Sequence, residues 1–208
     1  MFVRDYMSVN PITIEPEDSV GDALHLLESH SIRRLPVVFQ GKIVGLVTNL
    51  DLLKASPSPA TSLSIHEINY LYPKIKIKDV MTKDPITISP DMVIEEAAVV
   101  MRENKIGTLL VQQQGKLIGL ITESDLFKVF IDIFGFNYAG SRIAIAVEDD
   151  IGELGKIADL ISAMAVNIIS VVVIRVNEGG AHLVLRLKTD NGDAVRAKLE
   201  ENGYKILD

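Results

Sequence analysis

The feature that most constrains this chain is an internal repeat in its first part. Residues 3–55 align with residues 77–129 at a constant offset of 74 positions and without a gap, and 20 of the 53 aligned positions are identical. The repeated unit is longer than the roughly 20–50 residues of solenoid repeats, and it occurs only twice. We therefore expect two copies of one small unit that pack about a pseudo-twofold axis.

Each copy has the pattern of a β-α-β-β-α unit. A short β-rich run, Pro-Ile-Thr-Ile, is followed by apolar residues at helical spacing, which are residues 20–27 in the first copy and 94–101 in the second. Two strands then flank a Gln-Gly-Lys turn, and the last helix begins at Thr48 or Thr122. A unit of this size cannot cover its own sheet, so we expect the two copies to bury it between them.

The rest of the chain divides into a linker, a joint and a third domain. The third domain has the order β-α-β-β-α-β, with a turn at 177–180, which is typical of a ferredoxin-like fold. We therefore expect an α/β (α+β) protein. The expected boundaries are 1–55 for the first copy, 56–76 for a linker with a short helix, 77–130 for the second copy, 131–140 for a joint and 141–208 for the third domain.

Composition and charge exclude several classes of function. The net charge of −7 is spread evenly, with 13 basic and 17 acidic residues in 1–140 and 8 and 11 in 141–208, so we expect no nucleic-acid partner. Cysteine is absent, which removes thiolate metal sites and cysteine nucleophiles. Neither an apolar run of membrane-spanning length nor the layout of a signal peptide is present. We expect a cytoplasmic protein without a membrane partner, a metal site or catalytic residues.

Both copies contain the motif Gly-h-h-Thr-x-x-Asp, in which h is hydrophobic, at 45–51 and 119–125. Together with the repeat, this motif resembles a CBS-domain pair, or Bateman module, over residues 1 to about 130. The resemblance implies clefts for an adenine nucleotide such as AMP, ADP or ATP, in which the motif Asp accepts hydrogen bonds from the ribose hydroxyls and the motif Thr lies beside the phosphates. It implicates the threonines Thr48 and Thr122, the aspartates Asp51 and Asp125, and Ile32 and Ile106, which would begin an apolar wall beside the adenine.

The same residues have a structural interpretation. A Thr followed three positions later by Asp is a variant capping box, in which the side chains satisfy free N–H groups at the start of a helix. The isoleucines fit the hydrophobic core equally well. A helix start that carries a hydroxyl also favours a phosphate, so the two interpretations of the motif are compatible.

Basic residues distinguish the two copies. Arg33 and Arg34 precede the Leu-Pro-Val strand of the first copy, where the second copy has Gly107 and Thr108. The CBS resemblance implies that such a basic residue reaches a phosphate, and the planar guanidinium suits that role. The alternative is an exposed, ion-paired strand end. If the arginines do bind phosphate, the two clefts differ in ligand preference; the sequence leaves open which cleft the arginines serve.

The third domain resembles an ACT domain, a regulatory unit that commonly binds amino acids. The matching residues are Asp150, Gly152 and Leu154 after the first strand and Asn167 at the start of the second, while Ile151 stands where proline is common. The resemblance implies that the polar groups of an amino acid lie against these residues. The alternative is a domain that serves dimerisation.

The order of a CBS pair followed by an ACT domain resembles the acetoin-utilisation-type CBS–ACT proteins. This implies a non-enzymatic sensor in small-carbon metabolism that forms a homodimer and needs no cofactor besides its nucleotide effector. An enzyme is disfavoured because the chain has no Gly-rich phosphate loop, no His-rich metal spacing and no Ser-His-Asp set. The remaining alternative is an assembly scaffold whose clefts are free of ligand.

Overall fold

The computed structural model describes residues 1–55, 75–176 and 180–208 of the chain. The chain divides into two units, Met1–Leu126 and Phe127–Asp208. The helix predicted in the linker lies outside the described residues, as does most of the turn predicted at 177–180. Within the described ranges, no helix is both long and apolar enough to cross a membrane.

The two repeats have the same order of elements, except that the strand Thr87–Ile88 of the second repeat corresponds in the first to an isolated bridge between Ile14 and Val37. The first contains a short 3-10 helix at Val3–Asp5, strand β1 (Ser8–Val9), helix α1 (Val20–Ser29), β2 (Arg34–Phe39), β3 (Lys42–Thr48) and α2 (Asn49–Ala55). The second contains α3 (Ile77–Val80), β4 (Thr82–Lys83), β5 (Thr87–Ile88), α4 (Ile94–Asn104), β6 (Thr108–Gln113), β7 (Lys116–Thr122) and α5 (Glu123–Ile133). The boundary predicted at residue 130 therefore falls inside α5.

Backbone geometry confirms the pseudo-symmetry. The pairing of β2 with β3 and that of β6 with β7 have the same register, and each has an irregularity after the same valine, Val37 or Val111. Residues with a left-handed backbone recur at the offset of 74, with φ values that agree within a few degrees. These pairs are Asn10 and Asp84 (φ 48 and 48), Ser31 and Lys105 (53 and 54), and Gln40 and Gln114 (49 and 52).

The two repeats exchange their first segments. β1 pairs with β7 and β4 pairs with β3, which gives one sheet of order β1-β7-β6-β5 and another of order β2-β3-β4. Ile77 is buried in the core cluster of the first repeat, and the Val3 N–H donates to the Met92 carbonyl of the second repeat. The predicted first copy, 1–55, is therefore not a separate folding unit, because its first residues pair with the second copy.

This exchange explains the glycine of the shared motif. Gly45 lies within β3 and Gly119 within β7, each beneath the strand that arrives from the other repeat. A Cβ on Gly119 would lie 2.8 Å from the Ser8 carbonyl oxygen, and one on Gly45 would lie 3.1 Å from that of Thr82. Only glycine allows the exchanged strand to approach this closely.

The predicted apolar helix faces are buried. Val20, Ala23 and Leu27 of α1 are at most 5 % exposed, and they pack with Leu35 of β2 in one core cluster. In the second repeat the equivalent face of α4 is buried in the same way. Its buried residues are Ile94, Ala97 and Met101.

The second unit has the predicted ferredoxin-like topology. Its main elements are β8 (Ser141–Glu148), α6 (Glu153–Ala163), β9 (Asn167–Arg175), β10 (Gly180–Lys188), α7 (Gly192–Glu201) and β11 (Lys205–Ile206). All neighbouring strands are antiparallel and their order is β11-β8-β10-β9. Apolar residues of β8 and β10 form one core with those of both helices, among them Ile145, Leu185, Ile157 and Leu199.

Candidate functional site

A cleft of about 450 Å³ lies between the two repeats of the first unit. The first repeat supplies Ile32, Arg33 and Arg34 to its lining, and the second supplies Thr122 and Asp125. We call it the arginine cleft. The sequence left open which cleft the arginines serve. In the structure, the arginines of the first copy line the same cleft as the motif of the second. Each cleft is therefore built from both repeats.

The arginines of this cleft form no ion pair with any described residue. The ion pairs formed among the described residues do not include Arg33 or Arg34. Arg34 is half-buried at the start of β2, while Arg33 is exposed. The predicted alternative of an ion-paired strand end is not found in this part of the structure, although the Arg34 Nη2 and the Glu123 Oε2 lie 3.2 Å and 2.9 Å from the same point, the Cβ position of Gly107.

The motif Asp caps the start of the helix in both repeats, and in the first repeat the Asp51 N–H also donates to the Thr48 Oγ1 at 3.3 Å, which completes a capping box. The Asp125 Oδ2 accepts hydrogen bonds of 2.8 Å from the backbone N–H and from the hydroxyl of Thr122. The Asp51 Oδ2 accepts equivalent bonds from Thr48, of 2.9 Å and 2.6 Å. The capping interpretation is therefore confirmed, but it occupies only one oxygen of each carboxylate. In the described part of the chain, the other oxygen, Oδ1, accepts no hydrogen bond.

The cap also limits what the threonine can do. A hydroxyl has one proton to donate, and that of Thr122 is committed to Asp125. The Thr122 oxygen can therefore accept a hydrogen bond from a ligand but cannot at the same time donate one to a phosphate. The groups of the arginine cleft that are suited to a phosphate are the guanidinium groups and the N–H groups of the first turn of α5 other than that of Glu123, which donates to the Gly107 carbonyl.

The pseudo-symmetry relates the arginine cleft to a second set of residues, which we call the second cleft. It consists of Thr48, Asp51, Ile106, Gly107 and Thr108, which correspond at the offset of 74 to residues that line the arginine cleft. The Glu123 N–H donates to the Gly107 carbonyl at 3.3 Å, as the Asn49 N–H donates to that of Arg33 at 3.1 Å. The two sites thus share the same backbone hydrogen bond, although their side chains differ.

The two isoleucines lie at equivalent places. Ile32 both lines the arginine cleft and packs against the core of the first repeat. Ile106 is half-buried just before β6. Its equivalence to Ile32 places it beside the second cleft.

The second unit contains a separate pocket of about 630 Å³. Asp150 lines it together with Glu153, Lys156 and Tyr204, which the sequence did not indicate. Glu153 and Lys156 form an ion pair of 2.8 Å. Hydrogen bonds from Lys156 and then from Tyr204 lower the pKa of Glu153, while burial, followed by the bond to Glu153, raises the pKa of Tyr204.

The other residues predicted for this pocket are not all brought together. Gly152 begins α6 with φ of 86°, and Leu154 is 45 % exposed and lies outside the lining. Asn167 pairs with Lys188 at one end of the sheet, whereas β8 reaches Asp150 at the opposite end. The eleven residues of α6, about 16 Å of helix, separate Asn167 from Asp150. The expected single site with Asn167 does not form within this chain.

Comparison with protein families identifies both units. The model of the CBS domain matches residues 3–58 and 77–132, which together make up more than half of the chain. The chain belongs to the CBS-domain family. The model of the TTHA0829-like ACT domain matches residues 139–208, so the CBS pair is followed by an ACT domain.

Solved structures resemble the CBS pair. A putative acetoin utilization protein (AcuB) from Vibrio cholerae is 30 % identical with a TM-score of 0.54, and the match covers 66 % of this chain and 95 % of that one. CBSX2 in complex with AMP is 32 % identical with a TM-score of 0.52, over 64 % and 97 %. The CBS pair of protein MJ0100, in complex with 5′-methylthioadenosine and S-adenosyl-L-methionine, is 28 % identical with a TM-score of 0.52, over 62 % and 99 %.

A longer relative shares only the CBS region. The inosine-5′-monophosphate dehydrogenase of Korarchaeum cryptofilum is 39 % identical over 117 residues, which are 56 % of this chain and 21 % of that enzyme. The chain thus spans about a fifth of the length of this relative. The similarity concerns the CBS pair and carries no information about the chemistry of the dehydrogenase.

Proposed function

We propose that this protein is a non-enzymatic regulator that binds an adenine nucleotide in the arginine cleft of its CBS pair. One observation carries the proposal: Arg33 and Arg34, which have no acidic partner among the described residues, line the same cleft as the fixed carboxylate of Asp125. Two cations and one anion in one cleft match a ligand with a phosphate at one end and a diol at the other.

The chemistry of each group fits one part of a nucleotide. The free Oδ1 of Asp125 accepts hydrogen bonds from a ribose cis-diol, since a carboxylate offers only acceptors. The guanidinium groups bind the phosphate through charge-assisted hydrogen bonds. Ile32 and the half-buried Pro11 and Ile12 provide an apolar wall for the base. A volume of about 450 Å³ lies within the range of small-molecule sites.

The comparisons support an adenosine ligand in general. CBSX2 binds AMP, and the CBS pair of MJ0100 binds 5′-methylthioadenosine and S-adenosyl-L-methionine. These complexes differ at the 5′ substituent of the nucleoside and share the adenosine. The arginines of this chain favour the members of that group that carry phosphate.

A nucleotide in this cleft would act on the arrangement of the two repeats, because both contribute to its lining. A ligand shifts such an arrangement only when it binds one state more tightly than another. A coupling of about 1–3 kcal/mol is the usual scale of such regulation. The protein would thus report nucleotide level through its conformation, without turnover of the ligand.

For the ACT domain we propose an amino acid as a second effector. The pocket places the carboxylate of Asp150 near the Glu153–Lys156 pair and Tyr204. An acidic group suits an ammonium and a lysine suits a carboxylate. Calorimetric titration with a panel of amino acids tests this role, and an Asp150→Asn variant should weaken any binding that is found. A dimerisation domain without a ligand is the alternative outcome.

We further propose that the protein is a cytoplasmic homodimer with a role in acetoin or other small-carbon metabolism. The similarity to the Vibrio cholerae protein supports the metabolic role. Twofold dimers are the commonest oligomers of soluble proteins, which supports the dimer. Light scattering coupled to size exclusion measures the oligomeric state directly.

The decisive experiment is a titration of the purified protein with AMP, ADP, ATP and S-adenosylmethionine by calorimetry and by thermal unfolding. We expect micromolar or tighter binding of at least one phosphate-bearing nucleotide. The Asp125→Asn variant should lose at least tenfold in affinity, since a hydrogen bond to a charged group contributes about 1.5–3 kcal/mol. Absence of any response would reject the proposal in favour of a scaffold with ligand-free clefts.

A further inference from the structure

A mostly apolar pocket of about 350 Å³ lies within the second unit, and we call it the aromatic pocket. The end of α5 and the residues that follow it contribute three phenylalanines to its lining, and the sheet contributes residues of β8 and β10. The phenylalanines are Phe130, Phe134 and Phe136. None of the residues that line the aromatic pocket also lines the arginine cleft or the pocket of Asp150.

The aromatic pocket lies on the face of the sheet that α6 and α7 do not cover. Leu183, Leu185 and Leu187 of β10 belong to the core cluster that includes residues of both helices. Because side chains alternate along a strand, Val184 and Arg186 lie on the opposite face. Val184 lines the pocket and is nevertheless only 8 % exposed. The phenylalanines therefore shield this part of the second face of the sheet.

A close approach of the backbone fixes the phenylalanines against the sheet. Gly135 follows α5 with φ of 65°, and a Cβ on it would lie 3.1 Å from the Ile169 Cγ2 and 3.1 Å from the Ser170 Oγ, both of β9. The rings of Phe130 and Phe134 contact each other, with centroids 4.5 Å apart and planes tilted by 40°. The fold therefore preforms the apolar part of the pocket.

Arg186 brings a positive charge to the pocket in a fixed position. Its Nε and Nη2 donate to the Tyr138 carbonyl at 3.3 Å and 2.8 Å, and its Cζ lies 5.8 Å from the centroid of the Phe136 ring, within the range of a cation–π contact. The ion pairs formed among the described residues do not include Arg186, and its Nη1 donates no hydrogen bond to them. The Nη1 group is therefore available to an anion.

The charges of the pocket favour an acid over an amino acid. Arg142 and Arg186 are the charged residues of its lining, and Arg142 forms an ion pair with Asp208, so the charge of Arg186 is the one left unbalanced. No acidic residue of the described ranges lines the pocket, so an ammonium group would find no partner there. The pocket of Asp150 differs in this respect, because Asp150 and Glu153 both line it.

We propose that the aromatic pocket binds a small carboxylic acid that has an apolar body and no amino group. The body packs between the phenylalanine rings and Val184, and the carboxylate accepts a charge-assisted hydrogen bond from the Arg186 Nη1. A volume of about 350 Å³ lies near the lower end of small-molecule sites, so the ligand is small. This site goes beyond the proposed function, which assigns a nucleotide to the CBS pair and an amino acid to a different pocket.

The test uses 3-phenylpropionate, which has a phenyl group and a carboxylate and lacks an amino group. Calorimetry of the unaltered full chain should give saturable binding with a Kd below about 1 mM. Phenylalanine differs from this probe only by its amino group, and 3-phenylpropan-1-ol lacks the charge. Each of them should compete at least about tenfold less well. Absence of binding, or equal competition by either compound, would overturn the inference.

Two variants locate the binding. Arg186→Gln keeps an amide that can donate to the Tyr138 carbonyl and removes the charge, and Phe130→Ala removes an exposed ring of the pocket. Each should weaken binding of 3-phenylpropionate at least about tenfold. The matched control is Arg175→Gln on β9, because the ion pair of Arg175 with Asp149 lies outside the pocket. Thermal unfolding checks that the variants fold, and equal affinity of Arg186→Gln and Arg175→Gln would contradict the proposed site.

The alternative occupant is a second copy of the chain, since Phe130 and Phe136 are 58 % and 72 % exposed. An apolar contact between copies would bury the charge of Arg186 without a partner, which is costly. Light scattering coupled to size exclusion should therefore give the same mass for Phe130→Ala as for the unaltered protein. Conversion of a dimer into monomers by this substitution would overturn the inference. Titration with AMP tests the nucleotide function separately, so failure of one proposal is distinguishable from failure of the other.

Discussion

The Nη2 of Arg34 lies 3.2 Å from the point that a Cβ on Gly107 would occupy. Gly107 is the residue of the second repeat that corresponds to Arg33 in the first. The two clefts therefore adjoin at a position where one repeat carries a large cation and the other carries no side chain. The missing side chain leaves room for the guanidinium of Arg34.

This contact predicts the effect of Gly107→Ala. Gly107 has no positive φ, so alanine fits its backbone, but the new methyl group would displace Arg34 and the Glu123 carboxylate at 2.9 Å. We expect AMP affinity to fall about five- to tenfold, which corresponds to a shift of about 1 kcal/mol from crowding. Calorimetry measures the change. Gly155→Ala in the ACT domain is the matched control, since nothing lies within 4 Å of its Cβ position, and an equal effect of that control would contradict the explanation.

The glycine of the motif predicts a larger effect on stability. A Cβ at Gly119 would lie 2.8 Å from the Ser8 carbonyl oxygen, and a backbone atom in a strand cannot move aside as a side chain can. We expect Gly119→Ala to destabilise the CBS pair by about 1–3 kcal/mol. Urea unfolding monitors this change, with Gly155→Ala again as the control. Equal stability of the two variants would show that the exchanged strand is not held closely against β7.

The local features of this fold could be predicted from the sequence, whereas the pairing of segments that lie far apart in the sequence could not. The repeat, the helix faces and the Thr–Asp pairs follow from periodicity and short spacing, which depend on neighbouring residues. The exchanged strands β1 and β4 have only two residues each, too few for an alternating pattern. Their partners are set by pairing across more than 30 residues of sequence. The same limit explains why the sequence could not place Arg33 opposite Asp125, or Tyr204 beside Glu153.

The hydrogen bonds at the start of α1 predict how the stability of the protein depends on pH. The Ser19 hydroxyl donates to the Asp22 Oδ2 at 2.6 Å, and this bond, with a further one from the Ser19 N–H, lowers the pKa of Asp22 below its usual 3.8. The stabilisation is therefore complete above pH 3.8 and is lost as the pH falls through the lower pKa of the folded state. We expect Ser19→Ala to cost about 1 kcal/mol near neutral pH, with a smaller difference at about pH 3. Denaturant unfolding at both values tests this.

The control for that prediction lies on the same helix. The Ser29 hydroxyl donates to the His25 carbonyl at the other end of α1 and does not contact Asp22. Ser29→Ala should therefore change stability by a similar amount at both pH values. A difference between unaltered protein and Ser19→Ala that stays constant on acidification would reject the link to the Asp22 carboxylate.

Ionic strength separates the contributions of charge and of shape in the arginine cleft. Arg33 is exposed and Arg34 half-buried, so salt screens their attraction for a phosphate, with a Debye length that falls from about 10 Å at 0.1 M to about 3 Å at 1 M. We expect AMP affinity to fall several-fold as NaCl rises across that range, while adenosine affinity stays nearly constant. The Arg33→Ala, Arg34→Ala variant should bind AMP weakly and with little dependence on salt. Calorimetric titrations at four salt concentrations provide the slopes. Equal slopes for AMP in the variant and in the unaltered protein would mean that the phosphate does not contact these arginines.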